Sequence, residues 1–108
     1  RPCCNNSTAF PDCNHGMAML GLIELMVSQG KSPDEIYKTA LAFNTYWFPE
    51  TYLNTAYYFK TINRDYNKVT PKEILSKTYS SGTGAGDIQK KVGTIQWFDS
   101  GSGGSCGA

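Results

Sequence analysis

The sequence predicts a mainly α fold: a small helical bundle of three to four helices with an irregular N-terminal arm and a Gly/Ser-rich C-terminal tail, stapled by disulfides. Three observations predict it. Residues 13–30, CNHGMAMLGLIELMVSQG, are the most apolar continuous run in the chain. Two helix starts of the same type follow, Ser32-Pro33-Asp34-Glu35 and Thr70-Pro71-Lys72-Glu73. The four cysteines, Cys3, Cys4, Cys13 and Cys106, crowd at the two ends. With 108 residues the chain makes one domain, 1–108, near the size at which covalent staples help a modest core. Within it, 1–13 is a Cys-rich arm, 14–78 the helical core, and 79–108 a loop and tail.

Residues 1–13, RPCCNNSTAFPDC, read as irregular, because Pro2 and Pro11 punctuate them and Asn5, Asn6, Ser7 and Thr8 prefer turns. A first helix follows from about Asn14 to Gln29, capped by Asp12 or Asn14 and stopped by Gly30. Met17, Leu20, Ile23, Leu25, Met26 and Val27 cover most of its circumference, which marks a central helix. Gly16 and Gly21 would let another backbone approach it. Glu24 would carry a raised pKa if buried, but it fits the one solvent-facing stripe.

In the second helix Ser32 is the cap, Pro33 the first helical residue, and Glu35 closes a capping box. It runs to about Trp47 and ends before Pro49. A third helix runs from Pro49–Glu50 to about Ile62, with Tyr52, Leu53, Ala56, Tyr57 and Phe59 at helical spacing. Residues 63–69 form a polar connector, and a short fourth helix covers about 71–78. Residues 79–87, YSSGTGAGD, read as a flexible loop. Residues 88–99 fit either a helix capped by Asp87 or, over 94–98, a strand, and Gly93 counts against the helix.

Ten basic residues stand against nine acidic ones with no basic stripe, so nucleic acid is not the expected partner. The apolar stretch Met17–Val27, interrupted by Gly21 and Glu24, is too short to span a bilayer. The chain opens on Arg1 rather than Met, which fits a product whose export signal has been removed. Four cysteines fit an oxidising compartment. The expected location is therefore extracellular, periplasmic or cell-surface.

The cysteines read first as disulfides. Adjacent Cys3 and Cys4 bond to each other only through a strained eight-membered ring, so one of them is expected to bond Cys13 and the other Cys106. A bond of that kind contributes about 2–4 kcal/mol. A metal site is the alternative. Cys3, Cys4, Cys13 and His15 have the ligand types for zinc without its usual paired spacing, while His15 and Met19, on one helical face at i, i+4, make with Cys4 and Cys13 a soft set for copper. Without it no cofactor is expected.

Catalysis finds no Ser/His/Asp pattern. GTGAGD at 82–87 lacks the residues of a phosphate loop, and the absence of C-x-x-C-H excludes covalent haem. The chain is therefore not expected to be an enzyme. Asn5 and Asn6 each open an N-glycosylation pattern. The aromatic triplets Tyr46-Trp47-Phe48 and Tyr57-Tyr58-Phe59 cannot all face one core, since helical neighbours point about 100° apart. Tyr46, Trp47, Phe48, Tyr57, Tyr58 and Trp97 are thus candidate contact residues.

Residues 4–36 resemble the N-terminal helical domain of the periplasmic thiol proteins of cytochrome c maturation. Cys4-Asn5-Asn6, Ser7-Thr8-Ala9, Asp12-Cys13-Asn14 and Gly30-Lys31-Ser32-Pro33-Asp34-Glu35-Ile36 carry the likeness, over about a third of the chain. That family spaces its redox cysteines by two residues. Cys3 and Cys4 are adjacent, so only Cys4 carries over. The resemblance implies an extracytoplasmic helix bundle.

Two functions are expected from these features. The first is a non-enzymatic extracellular structural subunit that assembles with copies of itself into a filament, tube or coat, reinforced by disulfides. Its basis is the outward aromatics and a Gly/Ser tail whose chain entropy nothing repays unless Cys106 or a neighbouring subunit holds it. The second is an exported Cys/His/Met domain that binds metal or exchanges thiols.

Overall fold

The computed structural model describes residues 1–93. Local chemistry starts the helices. Ser32 Oγ accepts from the Glu35 N–H at 3.2 Å, and the Glu35 carboxylate accepts from the Ser32 N–H at 3.0 Å, completing the capping box of α2 (Pro33–Trp47). Pro49 opens α3 (Pro49–Thr61) one residue later, so Phe48 is both the end of one helix and the start of the next. Before them lies α1 (Asn14–Ser28). After them come a 3-10 turn (Tyr66–Lys68), α4 (Pro71–Ile74), α5 (Lys77–Ser80) and α6 (Gly82–Val92). The fold is a mainly helical bundle, and no strand occurs among the described residues.

Helix α3, not α1, is the central element. Tyr52, Thr55 and Phe59 lie on its inner face, Phe59 at 0% exposure, and the helix packs on α2, α6 and the 3-10 turn. Phe48, Tyr52, Phe59, Val69 and Ile74 form the core, with Leu41, Trp47, Tyr58, Tyr66 and Tyr79 against it. Helix α1 packs on α2 at the edge, where only Gly16 and Met19 are buried and Met17 and Leu25 are each 55% exposed. The expectation of a central first helix is thus corrected. Aromatic side chains bury about 150–250 Å² each, so the aromatic-rich α3 outcompetes an aliphatic helix for the middle of the molecule. Glu24 is exposed, as its stripe required.

The expected loop at 79–87 is a second correction, since most of it forms α5 and the first turns of α6. Glycine is a poor helix former, yet here it is needed. A Cβ on Gly84 would lie 2.3 Å from the carbonyl oxygens of Lys77 and Thr78, so only glycine lets α6 pass this close to α5. Ser81 rather than Asp87 caps α6, its Oγ accepting from the Gly84 N–H at 2.9 Å. The expected helix over 71–78 is broken at Leu75–Ser76 into α4 and α5, which raises the number of helices above the three to four expected. Gly93, at φ +76°, ends α6. The alternatives for 94–99, the contact residue Trp97, Cys106 and the Gly/Ser tail lie outside the described residues. No helix among the described residues is long and apolar enough to cross a membrane.

Candidate thiol–imidazole site

The arm is shaped by its own hydrogen bonds. Arg1, its side chain buried, donates to the carbonyls of Ser7 and Phe10 and pairs with Asp12. Asn6 donates to the same carboxylate, and these contacts, Asn6 first and Arg1 with it, hold Asp12 below the usual carboxylate range. The guanidinium sits over Gly16, where a Cβ would come within 2.8 Å of it. Gly16 therefore receives a side chain rather than a backbone, and nothing approaches Gly21 within 4 Å. Through Cys4 and Asn5 the arm also reaches α6. The Gly82 N–H donates to the Cys4 carbonyl at 2.7 Å and the Thr83 N–H to Asn5 Oδ1 at 2.9 Å.

This shape brings cysteines 3 and 13 to the head of α1. Cys13, not Asp12 or Asn14, is the cap, and its Sγ accepts from the Gly16 N–H at 3.4 Å. Two residues on, His15 packs against Trp47 and Phe48, with ring centroids 5.0 and 4.9 Å apart and both pairs tilted by 58°. Its Nδ1 is buried and has no hydrogen-bond partner among the described residues. One ligand atom from each of Cys3, Cys13 and His15 lies within 4.8 Å of the others, all three residues being half-buried. Cys4 Sγ stands 4.0 Å from Cys3 Sγ.

Cys4 and Cys13 carry free thiols, so the expected disulfide between the Cys3–Cys4 pair and Cys13 is not present. The expected ligand set of Cys4, Cys13, His15 and Met19 is also rearranged. Of the zinc-type set Cys3, Cys13 and His15 come together without Cys4, although Cys3 is not one of the free thiols, and Met19 is buried one turn further along α1. The sequence leaves the choice between Cys3 and Cys4 open. Adjacent residues of an irregular arm point apart, and only the arm's path decides which faces α1. The aromatic shelf under His15 was equally hidden, because Trp47 and Phe48 are more than thirty residues away in the chain.

Of the candidate contact aromatics, Phe48 is core, Trp47 and Tyr58 are half-buried, and Tyr46 and Tyr57 are exposed, Tyr46 by 82%. Asn5 and Asn6 are both exposed. Behind the arm lies a polar cavity of about 440 Å³, lined by Arg1, Asn5, Asn6, Lys77, Ser80 and Ser81 among others and by none of the thiols. Comparison of the chain with protein-family models, with curated proteins and with solved structures finds no match.

Proposed function

We propose that this is an exported domain that binds a soft metal ion through Cys13 and His15. The observation that carries the reading is a buried, unpartnered imidazole nitrogen on a residue whose other ring contacts hold it beside a free thiol. A buried polar atom without a partner costs about 1–3 kcal/mol, and a metal bond is one way to recover it. Thiolate and imidazole together select Cu(I) or zinc. Structural zinc takes four protein ligands, whereas this reading rests on two and asks no metal bond of Cys3, so Cu(I) fits better. Trp47 and Phe48 orient the ring and keep water from one side of it. The likeness of residues 4–36 to periplasmic thiol proteins supports the extracytoplasmic setting.

The test is an anaerobic Cu(I) titration of the whole chain against a competing chelator. About one ion per chain is expected. Cys13→Ser and His15→Ala should each weaken binding by about a hundredfold or more, beyond the loss of an outer-shell partner. Circular dichroism confirms that both variants fold. No binding, or binding unchanged in Cys13→Ser, removes the reading.

A second reading, the self-assembling structural subunit, is favoured by a different observation. Met17, Ala18, Gly21 and Leu25 make an exposed apolar face on α1, and Tyr46 projects from the end of α2.

A further inference from the structure

We propose that Cys4 and Cys13 form a redox pair that exchanges with an external disulfide and, once bonded to each other, withdraws the thiolate from the metal site. The second half rests on the metal reading above; the first half does not.

The geometry carries the pairing. Both residues are free thiols and half-buried. Both sulfurs lie near that of Cys3, Cys4 at 4.0 Å and Cys13 within 4.8 Å. They sit at the two ends of an exposed stretch, residues 5–12, held by a few hydrogen bonds rather than by a core. Movement of this stretch, about the hydrogen bonds that tie Cys4 and Asn5 to α6, brings them together. Cys3 is not one of the free thiols, and a bond between adjacent Cys3 and Cys4 would in any case require a strained ring.

The reaction needs an oxidant, here a low-molecular-weight or protein disulfide, R–S–S–R. A thiolate of the pair attacks one of its sulfurs. The R–S–S–R bond breaks, and the first RS⁻ leaves and takes up a proton. The second cysteine gives its proton to solvent and attacks the mixed disulfide at the first cysteine's sulfur, expelling the second RS⁻. Two protein thiols are oxidised to one disulfide, and R–S–S–R is reduced by the same two electrons to two RSH. The bonded Cys13 sulfur is no longer a thiolate, so the metal loses a ligand. A dithiol reductant reverses the sequence.

The experiment equilibrates the full chain in oxidised and reduced glutathione buffers and traps remaining thiols by alkylation. Disulfides are then mapped by fragmentation that cleaves between Cys3 and Cys4. The expected product is a Cys4–Cys13 link, with Cu(I) occupancy about tenfold lower in the oxidised wild type and restored by reductant. Cys4→Ser should keep its Cu(I) in the same oxidising buffer. A Cys13 bonded to Cys3, or left as a thiol or a glutathione adduct, overturns the pairing. A Cys4–Cys13 link that leaves Cu(I) in place overturns the withdrawal. A reduced wild type that takes up no Cu(I) defeats the metal reading and the withdrawal with it, while the map still decides the pairing.

Discussion

Tyr52 shows how one residue ties the middle of the chain to its end. Its hydroxyl lies 2.8 Å from Ser80 Oγ. Ser80 Oγ donates onward to the Ile74 carbonyl at 2.7 Å, so Tyr52 is the donor to Ser80. Burial pushes the phenol up to about 12, with the polar contacts of Ser80 and Asn44 acting in the opposite sense. The phenol is neutral in both states below pH 10. Between pH 10 and about 12 the unfolded chain gives up the proton while the fold retains it, so the unfolded state binds fewer protons and stability falls as pH rises. Tyr52→Phe is expected to cost about 1–2 kcal/mol at pH 7 through the lost hydrogen bonds. It should also flatten the loss of stability between pH 10 and 12. Urea unfolding across that range checks both, and a variant as alkali-sensitive as the wild type would assign the effect to Tyr66 or Tyr79, whose phenols burial also raises.

At the scale of elements, α6 is the one whose existence depends on partners outside it. Three of its first five residues are glycines, each about 1 kcal/mol worse than alanine in a helix interior. Its first three N–H groups are met by Cys4, Asn5 and Ser81. Ser81→Ala removes one of these bonds and the Ser81 Oγ bond to the Lys77 carbonyl. The expected loss is about 1–2 kcal/mol. Amide exchange should quicken at Gly84 and Ala85 while α1 is unaffected, and unchanged protection there would mean that the cap contributes nothing. The same dependence explains why the sequence reads as a loop here. Propensity sees the glycines, but it does not see that the arm supplies acceptors and that α5 leaves no room for a Cβ.

On the scale of the whole molecule, the placement of α1 at the edge leaves its outer face to solvent. Met17 and Leu25 lie on that face with Ala18 and the open Gly21. In the self-assembly reading this face meets another copy of the chain. Sedimentation at micromolar concentration should then give a mass above 11.9 kDa, lowered to that of one chain by Leu25→Lys. A single-chain mass for the wild type would remove that reading and leave the thiol–imidazole site untouched. The apolar circumference of α1 was legible in the sequence; its position was not. A helix apolar all round is equally compatible with a core and with an edge that carries an exposed face.

By itself the sequence determined the helical class, the three long helices to within a residue or two, and the two helix starts at Ser32 and Thr70. These rest on interactions spanning about one turn, such as Ser32 with Glu35 and Thr70 with Glu73. It also brought Cys13 and His15 forward together, as members of one candidate ligand set with Cys4 and Met19. Only the tertiary structure decided which helix is central, that 82–92 is helical, and which of two adjacent cysteines faces His15. Those outcomes turn on contacts between distant parts of the chain. The bond from Thr83 to Asn5 spans 78 residues, and no local pattern records where such a partner will arrive.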